Sequence, residues 1–174
     1  MKPPSIVAKI LLGRRGYSDS RPQTDGSGYA VPYFKQVHAN MCGEACVKML
    51  THYYGWNDIN INLLRNPRGP MAGMADPHTH PDYMNHFRRI GPGRDPWDDA
   101  VLARKLAAAG PLICGGSYAK MGVLGRQGHF VVLKGWDRSN FYVHCPWHGA
   151  NYAWNRTEFA NNLDDVWAAK TAIL

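Results

Sequence analysis

Acidic residues are scarce in this chain. Thirteen Asp and Glu stand against twenty Lys and Arg in 174 residues, leaving a net charge of +7. That balance excludes an acidic solvating protein and suits an anionic partner instead. Clustered charge is scarce too: the densest basic pairs are Arg14-Arg15 and Arg88-Arg89, and no aromatics interleave with them. A nucleic-acid stacking groove needs both features, so the basic surface reads as solvated and no nucleic-acid partner is expected. No apolar run approaches the ~18 residues that would cross a bilayer, so no membrane partner is expected either. Cysteines number only four, Cys42, Cys46, Cys114 and Cys145, while 45% of the chain is hydrophobic. A chain of this length buries roughly 70% of its surface and needs no disulfide or metal staple. A cleavable leader is also missing from the expected pattern. Ile6-Val7-Ala8 and Ile10-Leu11-Leu12 are interrupted by Lys9 and lack a small-residue cleavage site, so a reduced cytosolic setting in the producing cell is the expectation.

What is abundant is glycine and proline, 18 and 12 residues, more than a helical bundle favours. Residues 5–12 read as a short helix or strand, and the polar, turn-rich stretch 13–28 as an arm. The expected division is therefore an arm over 1–28 and one domain over 29–174. Tyr29 to Val37 reads as extended, with Pro32 marking an edge or loop. Cys42, Cys46, Met49, Leu50 and Tyr53 recur at helical spacing, and Gly55 ends that helix. Ile59 to Leu64 reads as a second short helix, 66–96 as mostly loop with a helical turn over Asp82 to Arg89, and Pro96 to Ala109 as a helix stopped by Gly110. Then the period changes. Leu112–Tyr118, His129–Trp136, Asn140–Cys145, Asn151–Asn155 and Val166–Leu174 read as strands, with Asp137-Arg138-Ser139 as a turn and Thr157–Leu163 as a helix. Helices followed by an antiparallel sheet make an α+β order.

Three local patterns carry chemistry. Cys42 opens a helix, where free N–H groups and the positive end of the helix dipole favour a thiolate. Gln36, six residues earlier, supplies a side-chain amide that can join the Cys42 N–H in holding an oxyanion. His129 enters an apolar strand after Gly128, a rigid mount for a general base. The next strand ends at Val143-His144-Cys145-Pro146 and lies where a group orienting the His129 ring would sit.

Gln36-x5-Cys42-Gly43-Glu44-Ala45-Cys46, Tyr53-Tyr54-Gly55, Gly110-Pro111-Leu112 and Gly128-His129-Phe130-Val131-Val132-Leu133-Lys134-Gly135-Trp136-Asp137 resemble the papain-like cysteine proteases. The likeness spans residues 30–174 and runs nearest to the bacteriocin-processing, double-glycine peptidase domains and related effector toxins. It implies a papain-like α+β fold, with Cys42 as nucleophile, His129 as base and Gln36 as oxyanion donor, and no cofactor or metal. It also implies a protein or peptide substrate with small residues before the scissile bond. The family's Asp-Pro after the hairpin is here Cys145-Pro146, and a thiol is a weak acceptor for an imidazole. The orienting group is therefore open among Cys145, Asp137, His144, His148 and Asn151, or dispensable in a Cys–His dyad. Glu44-Ala45 sits where that branch often has a Pro-Ala or similar pair, a minor departure.

The bland readings are core packing for Cys46, Cys114, Trp147, Trp154 and Trp167, with Trp147 also a candidate subsite wall, and solvated loop positions for His78, His80 and His86. Cys42-x3-Cys46 with Cys145-x2-His148 mimics a zinc pattern, but the first pair shares one helix rather than a knuckle. A catalytic unit of this kind, basic and without a leader, points to a monomeric toxin delivered by a dedicated secretion system into another cell's cytoplasm. An acidic immunity protein would hold it in check. The rival readings are an amidase or deamidase using the same Cys–His pair and a non-catalytic module on a decayed scaffold.

Overall fold

A computed structural model describes residues 28–37, 41–59, 77, 83–91, 97–116 and 128–170. Residues 1–27 of the expected arm, the stretch 60–64, His78 and His80 lie outside the described residues.

The helix expected at the first cysteine is α1, Cys42–Tyr54. Its apolar residues recur every third or fourth position, and Gly55 ends it at φ 67°, a left-handed conformation that glycine adopts without Cβ strain. The second helix, α2, spans Asp99–Ala109. It begins later than expected because Asp98 is its N-cap rather than a first-turn residue: the carboxylate accepts from the Ala100 and Val101 N–H groups at 2.7 and 3.0 Å. Those bonds hold the Asp98 carboxyl below its ordinary range. A third, short helix α3 covers Arg156–Asn161.

Among the described residues, six antiparallel strands form one sheet: β1 (Phe87–Arg89), β2 (Leu112–Gly116), β3 (His129–Trp136), β4 (Asn140–Cys145), β5 (Gly149–Asn155) and β6 (Leu163–Ala169). Their spatial order is β1-β6-β2-β3-β4-β5. The helical turn expected over Asp82 to Arg89 is instead a turn followed by β1. Phe87, Arg88 and Arg89 pair with Ala169, Ala168 and Trp167, so a free sheet edge overrode the local pattern. The final strand begins at Leu163, ahead of the expected Val166, because its start continues the ladder to Gly116. β3 and β4 have the expected bounds. Asp137 makes their turn by accepting from the Ser139 and Asn140 N–H groups at 2.8 and 2.7 Å.

The core lies between α1 and the sheet, around Val47, Met49, Leu50, Leu112, Ile113, Val131, Leu133 and Val143, all buried. Burying each of these side chains stabilises the fold by about 1.5–3 kcal/mol. Cys46 and Cys114 belong to this core.

Residues 28–37 form no strand but strap across β3 and β4. Gly28, at φ 59°, lies so close to the Lys134 carbonyl that any Cβ would overlap it. The Tyr29 N–H donates to Lys134 O at 2.8 Å, His144 Nε2 to Val31 O at 2.8 Å, and the Gln36 N–H to Pro146 O at 3.1 Å. The strap thus delivers Gln36 to the end of β4.

Candidate active site

Cys42 is buried at the first position of α1. The preceding Met41 offers no side-chain cap, so backbone donors of the first turn stay available to the sulfur and its reaction partners. Burial pushes the Cys42 thiol up to about 11, and the Glu44 carboxylate adds to that rise. The N–H groups of Phe130, Gly43 and Cys42 itself act the other way. The Phe130 contact is informative: it sets the sulfur against the first residues of β3, beside His129.

His129 opens β3 opposite Gly116 and is 4% exposed. Burial, aided by nearby His148, lowers its pKa to about 4. Taken singly, each group is shifted by burial toward its neutral form. Desolvation at Cys42 thus opposes the thiolate that a helix N-terminus favours.

The ring of His129 is anchored through Nε2, which lies 3.2 Å from Cys145 Sγ. Sheet register explains the meeting. Val132 pairs with His144, so the next residue of β4, Cys145, shares a face with His129 and Val131 and lies diagonal to His129. Cys145 is in turn fixed by the turn that follows. Its sulfur lies 3.3 Å from the His148 N–H and 3.2 Å from His148 Nδ1. Burial raises the Cys145 thiol, while the N–H groups of His148 and Trp147 lower it. An aspartate heading an Asx-turn accepts such N–H groups two and three residues on. The sulfur occupies that role.

Three other candidate orienters are placed elsewhere. Asp137 lies beyond the far end of the eight-residue β3, roughly 25 Å from His129 along the strand. Its carboxylate is committed to the hairpin turn and to the Tyr142 hydroxyl at 2.6 Å. His144 donates through Nε2 to Val31 O at 2.8 Å and accepts the Asn151 N–H on Nδ1 at 3.1 Å, so both ring nitrogens serve the strap and β5. Burial lowers its pKa, consistent with a neutral ring in that position. Asn151 is occupied by this contact and by Lys134 Nζ at 2.9 Å. Trp154 and Trp167 pack in the core as expected, but Trp147 is 48% exposed, on the turn after Cys145.

Two features had little sequence signal. Tyr33 Oη donates to Cys145 O at 3.3 Å, pinning the strap to the site; an isolated tyrosine in an extended stretch gives no hint of that. Glu44 is 2% exposed, and among the described residues neither carboxylate oxygen has a hydrogen-bond partner. Burial raises its pKa. Glu44 was legible only as a departure from the family pattern.

Residues 29–172 match the peptidase C39-like family. The chain belongs to that family. It is accordingly a papain-like cysteine peptidase. Among solved structures, a C39-like fold recurs in a double glycine motif protease from an AMS/PCAT transporter, crystallised with its leader peptide. It is 22% identical, with a TM-score of 0.60 over 86% of this chain and 96% of that one. A C39-like peptidase from Bacillus anthracis is 12% identical, with a TM-score of 0.57 over 83% of this chain and 97% of that one. No curated protein matches the chain. At these identities the two structures establish the shared fold, and the C39-like membership carries the peptidase assignment.

Proposed function

We propose that this peptidase cleaves a peptide backbone with Cys42 as nucleophile, His129 as general base and acid, and Gln36 as oxyanion donor. The single observation that carries the reading is the junction of α1 with β3, where the Cys42 sulfur meets the N–H of the residue after His129. With Nε2 of His129 held by Cys145, Nδ1 is the nitrogen that serves Cys42. As the substrate carbonyl arrives, Nδ1 takes the thiol proton while the sulfur–carbon bond forms. The Cys42 N–H and the Gln36 side-chain amide hold the oxyanion. His129 then returns its proton to the leaving amine, and the C–N bond breaks. Water, deprotonated by His129, opens the thioester and restores the thiol.

The leader-peptide complex of the double glycine protease supports a peptide substrate with small residues before the scissile bond. We further propose an effector toxin acting in another cell's cytoplasm and restrained by an acidic immunity protein, a reading that the +7 charge supports. The test compares bacteria expressing the wild type and Cys42→Ala by growth and by terminal proteomics. Growth arrest with new protein termini, both lost in Cys42→Ala, is the expected result. Glutamine-to-glutamate mass changes without new termini would replace peptidase with deamidase. A Cys42 that alkylates no faster than the core cysteines Cys46 and Cys114 would indicate a non-catalytic scaffold.

A further inference from the structure

The carboxylate that orients the histidine in this family is absent, yet its place is not vacant. Cys145 Sγ lies between two imidazoles, 3.2 Å from His129 Nε2 and 3.2 Å from His148 Nδ1. Position and surroundings differ between the two rings: His129 is buried, whereas His148 is exposed on the turn, its ring tilted against that of Tyr152. The sulfur therefore bridges a buried base and a solvent-facing one. A lone thiol would orient an imidazole poorly, since it is a weak acceptor and carries no charge. A thiol that can hand its proton to a second imidazole is a different acceptor.

We propose that Cys145 and His148 together replace the orienting carboxylate, Cys145 becoming an anion by passing its proton to His148 when His129 becomes charged. The inference rests on Cys42 and His129 acting as nucleophile and base. The step is balanced within the site. When His129 takes the Cys42 proton on Nδ1, it bears a full charge with its Nε2–H aimed at the Cys145 sulfur. The S–H bond of Cys145 breaks, an N–H bond forms on His148 Nδ1, and the sulfur anion accepts from His129. The proton returns to sulfur when His129 discharges onto the leaving amine. No external acid, base or oxidant is required.

The backbone assists. The N–H groups of His148 and Trp147 point at the sulfur and favour the anion, against the burial that keeps the proton in place at rest. The other titratable groups that the sulfur influences are Tyr33 and Cys46, whose protonated forms burial favours. Neither competes for the proton. His148 and Cys145 are thus positioning residues, acting on the reaction only through His129.

The test uses the full chain and four variants, with folding checked by circular dichroism and thermal melting. Cys145→Asp supplies a permanent carboxylate and is expected to keep kcat within about threefold of wild type. Cys145→Ala is expected to lower kcat about tenfold or more with KM little changed, as loss of support for a proton-transfer residue does; Cys145→Ser replaces it should the alanine variant not fold. His148→Ala, at an exposed position, is expected to lower kcat about tenfold alone but less than twofold in the Cys145→Asp background. Non-additivity of that kind marks a shared pathway. Alkylation of Cys42, followed by peptide mapping, gives the same ranking without any substrate. The inference is overturned if His148→Ala loses equally in both backgrounds, or if both single variants match wild type while Cys42→Ala is dead. Absence of Cys42-dependent hydrolysis in the wild type would instead overturn the peptidase reading, and the alkylation ranking would still judge the pair.

Discussion

At the scale of single residues, burial dominates the chemistry of this site. His129 has its pKa depressed from 6.5 to about 4. A base held neutral in the fold yet protonated in the unfolded chain stabilises the fold above pH 6.5, and that stability is lost as pH falls toward 4. The loss is on the order of 3 kcal/mol. Urea unfolding at pH 7 and 4.5 should therefore show a larger acid penalty for wild type than for His129→Asn. The acid limb of kcat/KM should likewise fall below the usual histidine range. Glu44 works in the opposite sense. Its raised pKa favours the protonated form in the fold, so its contribution is present at low pH and declines as the carboxyl ionises. Glu44→Gln should stabilise the protein at pH 7 by about 1 kcal/mol and speed Cys42 alkylation, because the carboxylate raises that thiol. A slower alkylation in Glu44→Gln would contradict this account. Cys42, Gln36 and His129 stood out in the sequence because their spacing suits chemistry that demands those residue types, and the fold sets the Cys42 sulfur against the N–H of Phe130, next to His129. The roles of Cys145 and His148 were not decided there, since sequence distance set His144, Asp137, His148 and Asn151 on equal terms. Only register and turn geometry separate them.

Among the secondary-structure elements, those with strong local signals were predictable. Helix α1 and the β3–β4 hairpin follow directly from apolar spacing, a terminal glycine and a turn-forming aspartate. Strand β1 was misread because Phe87-Arg88-Arg89 has no strand period of its own and pairs only through β6. The strap was seen as extended, but its purpose lies in contacts across more than a hundred residues of sequence, such as His144 with Val31. Gly28→Ala should loosen the strap, since its Cβ would overlap the Lys134 carbonyl and φ is positive. The measurable result is a lower melting temperature together with a fall in activity, as Gln36 loses its anchor. Asp98→Ala is the matched control: loss of the α2 cap should cost about 1 kcal/mol while leaving Cys42 alkylation unchanged.

For the molecule as a whole, charge sets the terms of association. A +7 protein meeting an acidic inhibitor should bind with an on-rate that falls steeply as salt rises, while the dissociation rate changes little. Stopped-flow association at low and physiological ionic strength measures this, and a salt-independent on-rate would remove charge as the basis of recognition. The connectivity has one more consequence. Gln36, through the strap, and His129 and Cys145, through β3 and β4, are all fastened to the same hairpin, whereas Cys42 arrives on a helix that meets the sheet through side-chain packing. Sliding that helix by a fraction of an ångström would detune the nucleophile and leave every other member in register. A ligand wedged at this seam would act as a switch on a single atom.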